Sequence, residues 1–318
     1  MAERLDGVPR LLVAPSQGLA GMEAQASAAV VAGGGVVVGD GEPADGLMWL
    51  GGPDGLAETL LAHPGVRWVQ LPFAGVEAVA EAGIFSDPRF ASITWTSAKG
   101  AYAKPVAEHA LALALAGLRH LPERVRAHSW GERKGTSLYG AKVTVLGGGG
   151  ITEELLKLLA PFGTEATVVR KRREPLAGAA RVVTTSELLE VLPGALVVFV
   201  ALALVPETVH VIGPRELALM GPNSWLVNVA RGRHVDTEAL VEVLRAGGIG
   251  GAALDVTDPE PLPDGHPLWS LPNCLITPHS ADTLEMVRPL LAERIRENVV
   301  RFAAGRPLVG TVDAAAGY

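Results

Sequence analysis

A single cysteine, Cys274, in 318 residues excludes an internal disulfide and with it the stapled scaffolds of small secreted proteins. Its neighbours Asn273, Leu275 and Ile276 give it the setting of a buried strand thiol, not of a nucleophile. Long apolar runs are also missing. The longest, such as Ala195 to Val205, fall well short of the ~20 residues that a membrane-spanning helix needs. Leu11 to Ala14 reads as a first strand and lacks the hydrophobic region of a signal peptide, so a soluble, cytoplasmic chain is expected. Basic residues are outnumbered, 27 Lys and Arg against 34 Asp and Glu, and the net charge of −7 argues against nucleic acid or an anionic membrane as main partner. The eight histidines are scattered without the paired spacing of a zinc site, so no metal is expected. Charge is sparse at 19% while apolar residues reach 48%, a balance that excludes a disordered chain. Glycine and proline, 38 and 23 residues, are abundant and imply many tight turns.

At roughly 150 residues per domain the length suggests two domains. A short aliphatic run, a Gly- or Pro-bearing turn and an amphipathic segment recur along nearly the whole chain, the alternation of parallel sheets covered by helices. Strands are expected at Leu11 to Ala14, Val36 to Val38, Leu47 to Leu50, Arg67 to Leu71 and Ile93 to Thr96. A helix follows from about Pro105 to His120. A second strand series then runs through Lys142 to Leu146, Ala166 to Arg170, Leu196 to Leu202, Trp225 to Val229, Gly250 to Leu254 and Leu275 to Thr277, and a last helix covers Leu284 to Ala304. Gly33-Gly34-Gly35 precedes a strand and no helix, which makes it a helix-to-strand turn and not a phosphate loop. Two doubly wound units result, with ligand expected at the carboxyl ends of the strands.

The second strand series opens on Lys142 to Leu146, then Gly147-Gly148-Gly149-Gly150-Ile151-Thr152, then a helix-forming stretch. Strand, glycine turn and helix N-terminus bring backbone N–H groups and the positive helix end onto a pyrophosphate, which nominates Gly147, Gly149, Gly150 and Ile151. Thr152 stands where Gly or Ala would favour close helix packing; it must widen that contact or use its hydroxyl as a local cap. Where a carboxylate would grip an NAD ribose stands Arg170, opening the run Arg170-Lys171-Arg172-Arg173. Guanidinium groups bind a 2′-phosphate through charge-assisted bonds, so NADP(H) is favoured over NAD(H), and a solvated basic turn beside NAD(H) is the alternative.

Three later segments carry a polar residue just past a strand: Asn228 to Gly232, Asp255 to Leu262, and Thr277-Pro278-His279-Ser280. Strand ends of one parallel sheet converge, so Arg231, Glu260 and His279 can meet although far apart in sequence. Beside a nicotinamide this set suits reduction of a 2-oxo acid, with Arg231 on the carboxylate and carbonyl, His279 as proton donor and Glu260 orienting the imidazolium.

On these stretches, together with Leu204 to Thr208 and Pro259 to Pro263, the chain resembles the D-isomer-specific 2-hydroxyacid dehydrogenase family over essentially its whole length. The resemblance implies an α/β fold of two doubly wound parallel-sheet domains. Residues 1–100 with 284–318 would form a discontinuous, flavodoxin-like substrate domain, and 101–283 a Rossmann coenzyme domain. It implies Arg231 as substrate anchor, Glu260 and His279 as acid/base pair, Asp255 on the nicotinamide carboxamide, and a homodimer. Coenzyme contacts are expected from Arg170, Lys171, Arg172, Val229 and Ala230. The amides of Ala74 and Gly75 are expected on the substrate carboxylate. Trp49 either walls the pocket, as an aromatic does in glyoxylate/hydroxypyruvate reductases, or is ordinary core. Glu108 and His109 also match the family and read as helix packing and hinge. The expected function is reduction of a small 2-oxo acid such as glyoxylate or hydroxypyruvate. A nucleotide-binding sensor or corepressor-like protein of the same fold is the alternative.

Overall fold

Twelve strands, every pair of them parallel, make two sheets among the residues that the computed structural model describes, 7–15, 18, 19 and 21–314. Residues 1–6 and 315–318 of the expected substrate domain lie outside them. The chain divides into two compact units, Met1–Tyr102 with Thr283–Tyr318, and Ala103–Asp282.

The first unit contains β1 (Arg10–Ala14), β2 (Val36–Val38), β3 (Gly46–Trp49), β4 (Trp68–Gln70) and β5 (Thr94–Thr96), in the order β2-β1-β3-β4-β5. This is the flavodoxin-like winding, reversing beside the first strand. The triple glycine is the turn from helix Glu23–Ala32 into β2, as its position before a strand requires. A Cβ on Gly33 would come within 2.7 Å of Val299 Cβ, so glycine lets that turn lie against helix Leu284–Ala303. The same helix carries the polar part of the core. Buried Asn298 donates to Gln70 Oε1 at 2.9 Å and to Val309 O at 2.9 Å, and Thr96 Oγ1 donates to the same Gln70 oxygen at 2.9 Å. Arg294 donates to the carbonyls of Ser97 and Lys99, both at 3.0 Å. A buried polar chain of this kind is tolerated because its members satisfy one another.

The second unit contains β6 (Lys142–Leu146), β7 (Glu165–Val169), β8 (Arg181–Val183), β9 (Val197–Val200), β10 (Trp225–Asn228), β11 (Gly251–Leu254) and β12 (Cys274–Ile276). Their order, β12-β11-β10-β9-β6-β7-β8, is the Rossmann winding with one added strand, and it reverses between β6 and β9. Val197 to Val200 are each fully buried, as a strand covered on both faces must be, which explains their unbroken apolar run. Gly117 lets helix Ala103–Leu118 sit directly on Trp225, because a Cβ there would fall 2.3 Å from the indole. No described helix is long and apolar enough to cross a membrane.

Candidate active site

The carboxyl ends of the second sheet gather most of the nominated residues. β6 runs into Gly147, whose φ of +110° suits glycine; a Cβ there would lie 2.1 Å from the Ala201 carbonyl oxygen just past β9. The turn therefore occupies the point where the strand order reverses. Gly149 precedes helix Gly150–Leu159, and a side chain on it would meet nothing within 4 Å. Open space thus lies at a helix N-terminus whose first amides have no intrahelical acceptor, and a dinucleotide pyrophosphate fits that donor set. Thr152 uses its hydroxyl locally, within the turn. Its fully buried hydroxyl donates to Gly147 O at 3.0 Å and ties helix to turn.

Arg170 is the first residue after β7, its amide donating to Val183 O at 3.0 Å. Its side chain runs along the glycine turn, where a Cβ on Gly148 would meet Arg170 Cδ at 2.8 Å. Lys171 and Arg172 are exposed. The basic island is not uncompensated. Glu174 lies 3.7 Å from both Arg170 Nη2 and Arg172 Nη1, and Arg173 pairs with Glu187. Glu187 is held at about 2, first by the Thr184 amide, then by the Thr184 hydroxyl and Arg173. Neither acid stands out in the sequence, because only the fold brings Glu187 to the island.

Past β10, buried Asn228 shapes the turn that carries Arg231. Its Oδ1 accepts from Ala230 N at 3.0 Å and its Nδ2 donates to Arg231 O at 2.9 Å. Arg231 Nη1 donates to Ala230 O at 2.7 Å. His234, fully buried, accepts from the Arg231 amide at 3.2 Å through Nδ1 and lies 3.3 Å from Ala203 O through Nε2. Sequence reasoning passed over His234, which carries no signal except its place three residues after Arg231. Val229 and Ala230 are buried in the same turn. A Cβ on Gly232 would fall 1.9 Å from Thr257 O, so this turn lies directly against the loop that leads to Glu260.

Glu260 and His279 meet. His279 Nδ1 donates to Glu260 Oε1 at 2.6 Å, while Glu260 Oε2 accepts from the Thr257 amide at 3.4 Å. A carboxylate can only accept, so Nδ1 carries the proton in this pair. His279 has φ +49°, a left-handed conformation that costs a non-glycine residue free energy. Its amide donates to Asp255 O at 2.8 Å and Thr277 O at 3.0 Å.

Asp255, 2% exposed, follows β11 and points inward. Oδ1 accepts from Thr277 Oγ1 at 2.6 Å and Ser280 N at 2.9 Å, and Oδ2 accepts from Ala281 N at 3.0 Å. His109 Nε2 lies 3.3 Å from Oδ1 and 3.0 Å from Thr277 Oγ1. Burial pushes this carboxyl up, but bonds from His109, Thr277, Ser280 and Ala281 outweigh burial and hold it at about 2. His109, read from the sequence as a packing residue, therefore belongs to the network behind His279. A further carboxyl, Asp282, was not anticipated. Burial raises it; His279 and Arg231 act to lower it, whereas Asp255 adds to the rise. Arg231, His279 and Asp282 thus share one electrostatic neighbourhood.

In the first unit, Trp49 packs in a hydrophobic cluster with Leu47 and Leu56. It is 3% exposed and donates through Nε1 to Gly52 O at 2.6 Å. The loop Pro72 to Val76 is tethered by Tyr102 Oη, which donates to Pro72 O at 2.5 Å, and by Ala98 N, which donates to Phe73 O at 2.9 Å. Among the described residues the amides of Ala74 and Gly75 take no partner. No group of three or more potential ligands able to hold a metal ion occurs among the described residues.

The family model for the NAD binding domain of D-isomer specific 2-hydroxyacid dehydrogenases matches residues 109–281, over half of the chain. The chain belongs to this family of enzymes. An uncharacterized protein in the proB 3′ region of Corynebacterium melassecola is 38% identical over 260 residues, 80% of this chain and 84% of that one. A glyoxylate reductase of Thermococcus gammatolerans is 35% identical over 212 residues, and the match spans 63% of each chain. Among solved structures, a D-isomer specific 2-hydroxyacid dehydrogenase from Xanthobacter autotrophicus Py2, in complex with NADPH and MES, superposes with a TM-score of 0.83 at 28% identity, covering 98% of this chain and 100% of that one. Two parallel-sheet α/β units are thus a 2-hydroxyacid dehydrogenase's architecture, and a nicotinamide coenzyme is the cofactor of this family.

Proposed function

We propose that this 2-hydroxyacid dehydrogenase reduces a small 2-oxo acid of the glyoxylate or hydroxypyruvate class, with NADPH favoured over NADH. The observation that carries the reading is the 2.6 Å bond between His279 Nδ1 and Glu260, a carboxylate partner that favours the imidazolium, whose opposite ring nitrogen then carries the proton to be donated. Bound coenzyme supplies the hydride. Arg231 neutralises the substrate carboxylate and polarises the carbonyl beside it. His279 gives its Nε2 proton to the developing alkoxide, and Glu260 stabilises the imidazolium before transfer and keeps the ring oriented. The Ala74 and Gly75 amides, with no partner of their own, are assigned to the substrate carboxylate.

The turn Gly147 to Ile151 would hold the pyrophosphate, with Arg170, Lys171 and Arg172 on a 2′-phosphate and Val229, Ala230 and Asp255 toward the nicotinamide. NADPH in the Xanthobacter relative supports the coenzyme preference, and the glyoxylate reductase among the relatives supports the substrate class. On this reading residues 103–282 serve as coenzyme domain and 1–102 with 283–318 as substrate domain, in a homodimer that sedimentation can check. The sensor alternative rested on a weakened glycine loop; the bond from Thr152 to Gly147 O, which ties that loop to its helix, counts against it. Steady-state rates on glyoxylate, hydroxypyruvate, pyruvate and bulkier 2-oxo acids with each coenzyme test the proposal. Arg231→Ala should lower kcat/KM on the preferred acid by roughly 100-fold or more; full activity in that variant would sink the mechanism.

A further inference from the structure

We propose that His109 is a positioning residue for His279, acting on it through Asp255 and Thr277. The inference rests on His279 being the proton donor. The turn that carries His279 is gathered around one residue. Asp255 accepts the His279 amide on its carbonyl oxygen at 2.8 Å, and its carboxylate accepts the Thr277 hydroxyl at 2.6 Å, the Ser280 amide at 2.9 Å and the Ala281 amide at 3.0 Å. Four bonds from five consecutive residues thus converge on Asp255, and they keep His279 in a left-handed conformation that it would not adopt unaided.

A clamp of this sort needs the carboxylate itself to be fixed, and the outside support comes from helix Ala103–Leu118. The Thr277 hydroxyl proton is committed to Asp255, so Thr277 Oγ1 has only accepting capacity to offer. His109 Nε2, 3.0 Å from Thr277 Oγ1 and 3.3 Å from Asp255 Oδ1, must therefore carry a proton and bridge both oxygens. Without that donor, Asp255 and Thr277 lose this hydrogen-bonded tie to the helix, and the turn is held less firmly. Displacement of a reacting group by about 1 Å can cost about 100-fold in rate. A ring held only through Nδ1 and its own backbone would be displaced in this way. His109 touches neither reactant; its effect reaches His279 through the backbone of the turn.

Two variants test this. His109→Leu removes the donor at comparable volume, and His109→Gln can restore an N–H near the Nε2 position. The Leu variant should lose about 10- to 100-fold in kcat for 2-oxo acid reduction, and the Gln variant should recover most of the loss. Hydrogen exchange supplies a readout independent of turnover. The Ser280 and Ala281 amides should exchange at least about tenfold faster in His109→Leu while the amides of β10 keep their protection. A kcat within twofold of the parent in His109→Leu, a Gln variant as impaired as Leu, or unchanged exchange at Ser280 and Ala281 would each overturn the proposal. Should the parent protein reduce no 2-oxo acid, the reading of His279 fails, and the exchange measurement still decides whether His109 holds the clamp.

Discussion

Replacing Asp255 by Asn keeps the side-chain shape and removes one accepting oxygen together with the charge. In the native carboxylate Oδ1 takes the Thr277 hydroxyl and the Ser280 amide while Oδ2 takes the Ala281 amide. An Asn must turn its NH2 toward one of these two groups of donors, so donor faces donor and at least one buried N–H or O–H goes unsatisfied. That costs ~1–3 kcal/mol. Linkage gives an independent figure. The carboxyl sits at about 2 against an ordinary 3.8, with burial opposing ionisation and the bonds from His109, Thr277, Ser280 and Ala281 overcoming it. A depression of that size amounts to roughly 2 kcal/mol at neutral pH. Because the folded value lies below the unfolded one, this stability is present above the ordinary carboxylate range and disappears as pH falls toward the folded value. Asn does not titrate. Urea denaturation should therefore show the variant less stable by about 2–3 kcal/mol from neutral pH down to about pH 5, with the gap closing below about pH 4. A gap under about 0.5 kcal/mol at neutral pH, or one of constant size into acid, would refute the account of Asp255 as a bonded carboxylate.

Arg170→Asp places a like charge before a 2′-phosphate, so fluorescence titration should show NADPH weakened roughly 10- to 100-fold and NADH changed by less than about threefold. Equal losses for both coenzymes would contradict the assignment of Arg170. Asp282 is raised above its ordinary 3.8, chiefly by burial, so its contribution to stability is present below that value and is lost as pH rises through the folded one. Asp282→Asn should accordingly melt at a higher temperature than the parent at neutral pH, with the difference vanishing in acid; an unchanged or lower Tm at neutral pH counts against a costly buried charge.

Most of the architecture was legible because strands covered on both faces need unbroken aliphatic runs, and Lys142 to Leu146 or Val197 to Val200 could hardly be anything else. The strand Arg181–Val183 was missed. It has three residues, lies at the sheet edge and shows too short a run to rise above its surroundings. The meeting of Glu260 with His279 could be anticipated because both follow strands of one parallel sheet. What holds the pair could not. His109 comes from a helix 170 positions before His279 and shows itself only through contacts with Thr277 and Asp255, and Glu174 and Glu187 are ordinary surface acids until the fold sets them beside arginines.

The division of the first unit across the chain also orders its assembly during synthesis. Asn298 bonds Gln70 across 228 positions and Arg294 bonds Ser97 across 197, so the polar centre of that unit has no complete set of partners until the last long helix leaves the ribosome. Residues 103–282 contain all of their own sheet and can close first. The segment made earliest is then the last to finish folding, and until then the β1 to β5 strands must keep their apolar faces out of the way of one another and of neighbouring chains. A truncation that removed helix Leu284–Ala303 would leave the β6 to β12 sheet able to fold and strand the first hundred residues in an aggregation-prone state.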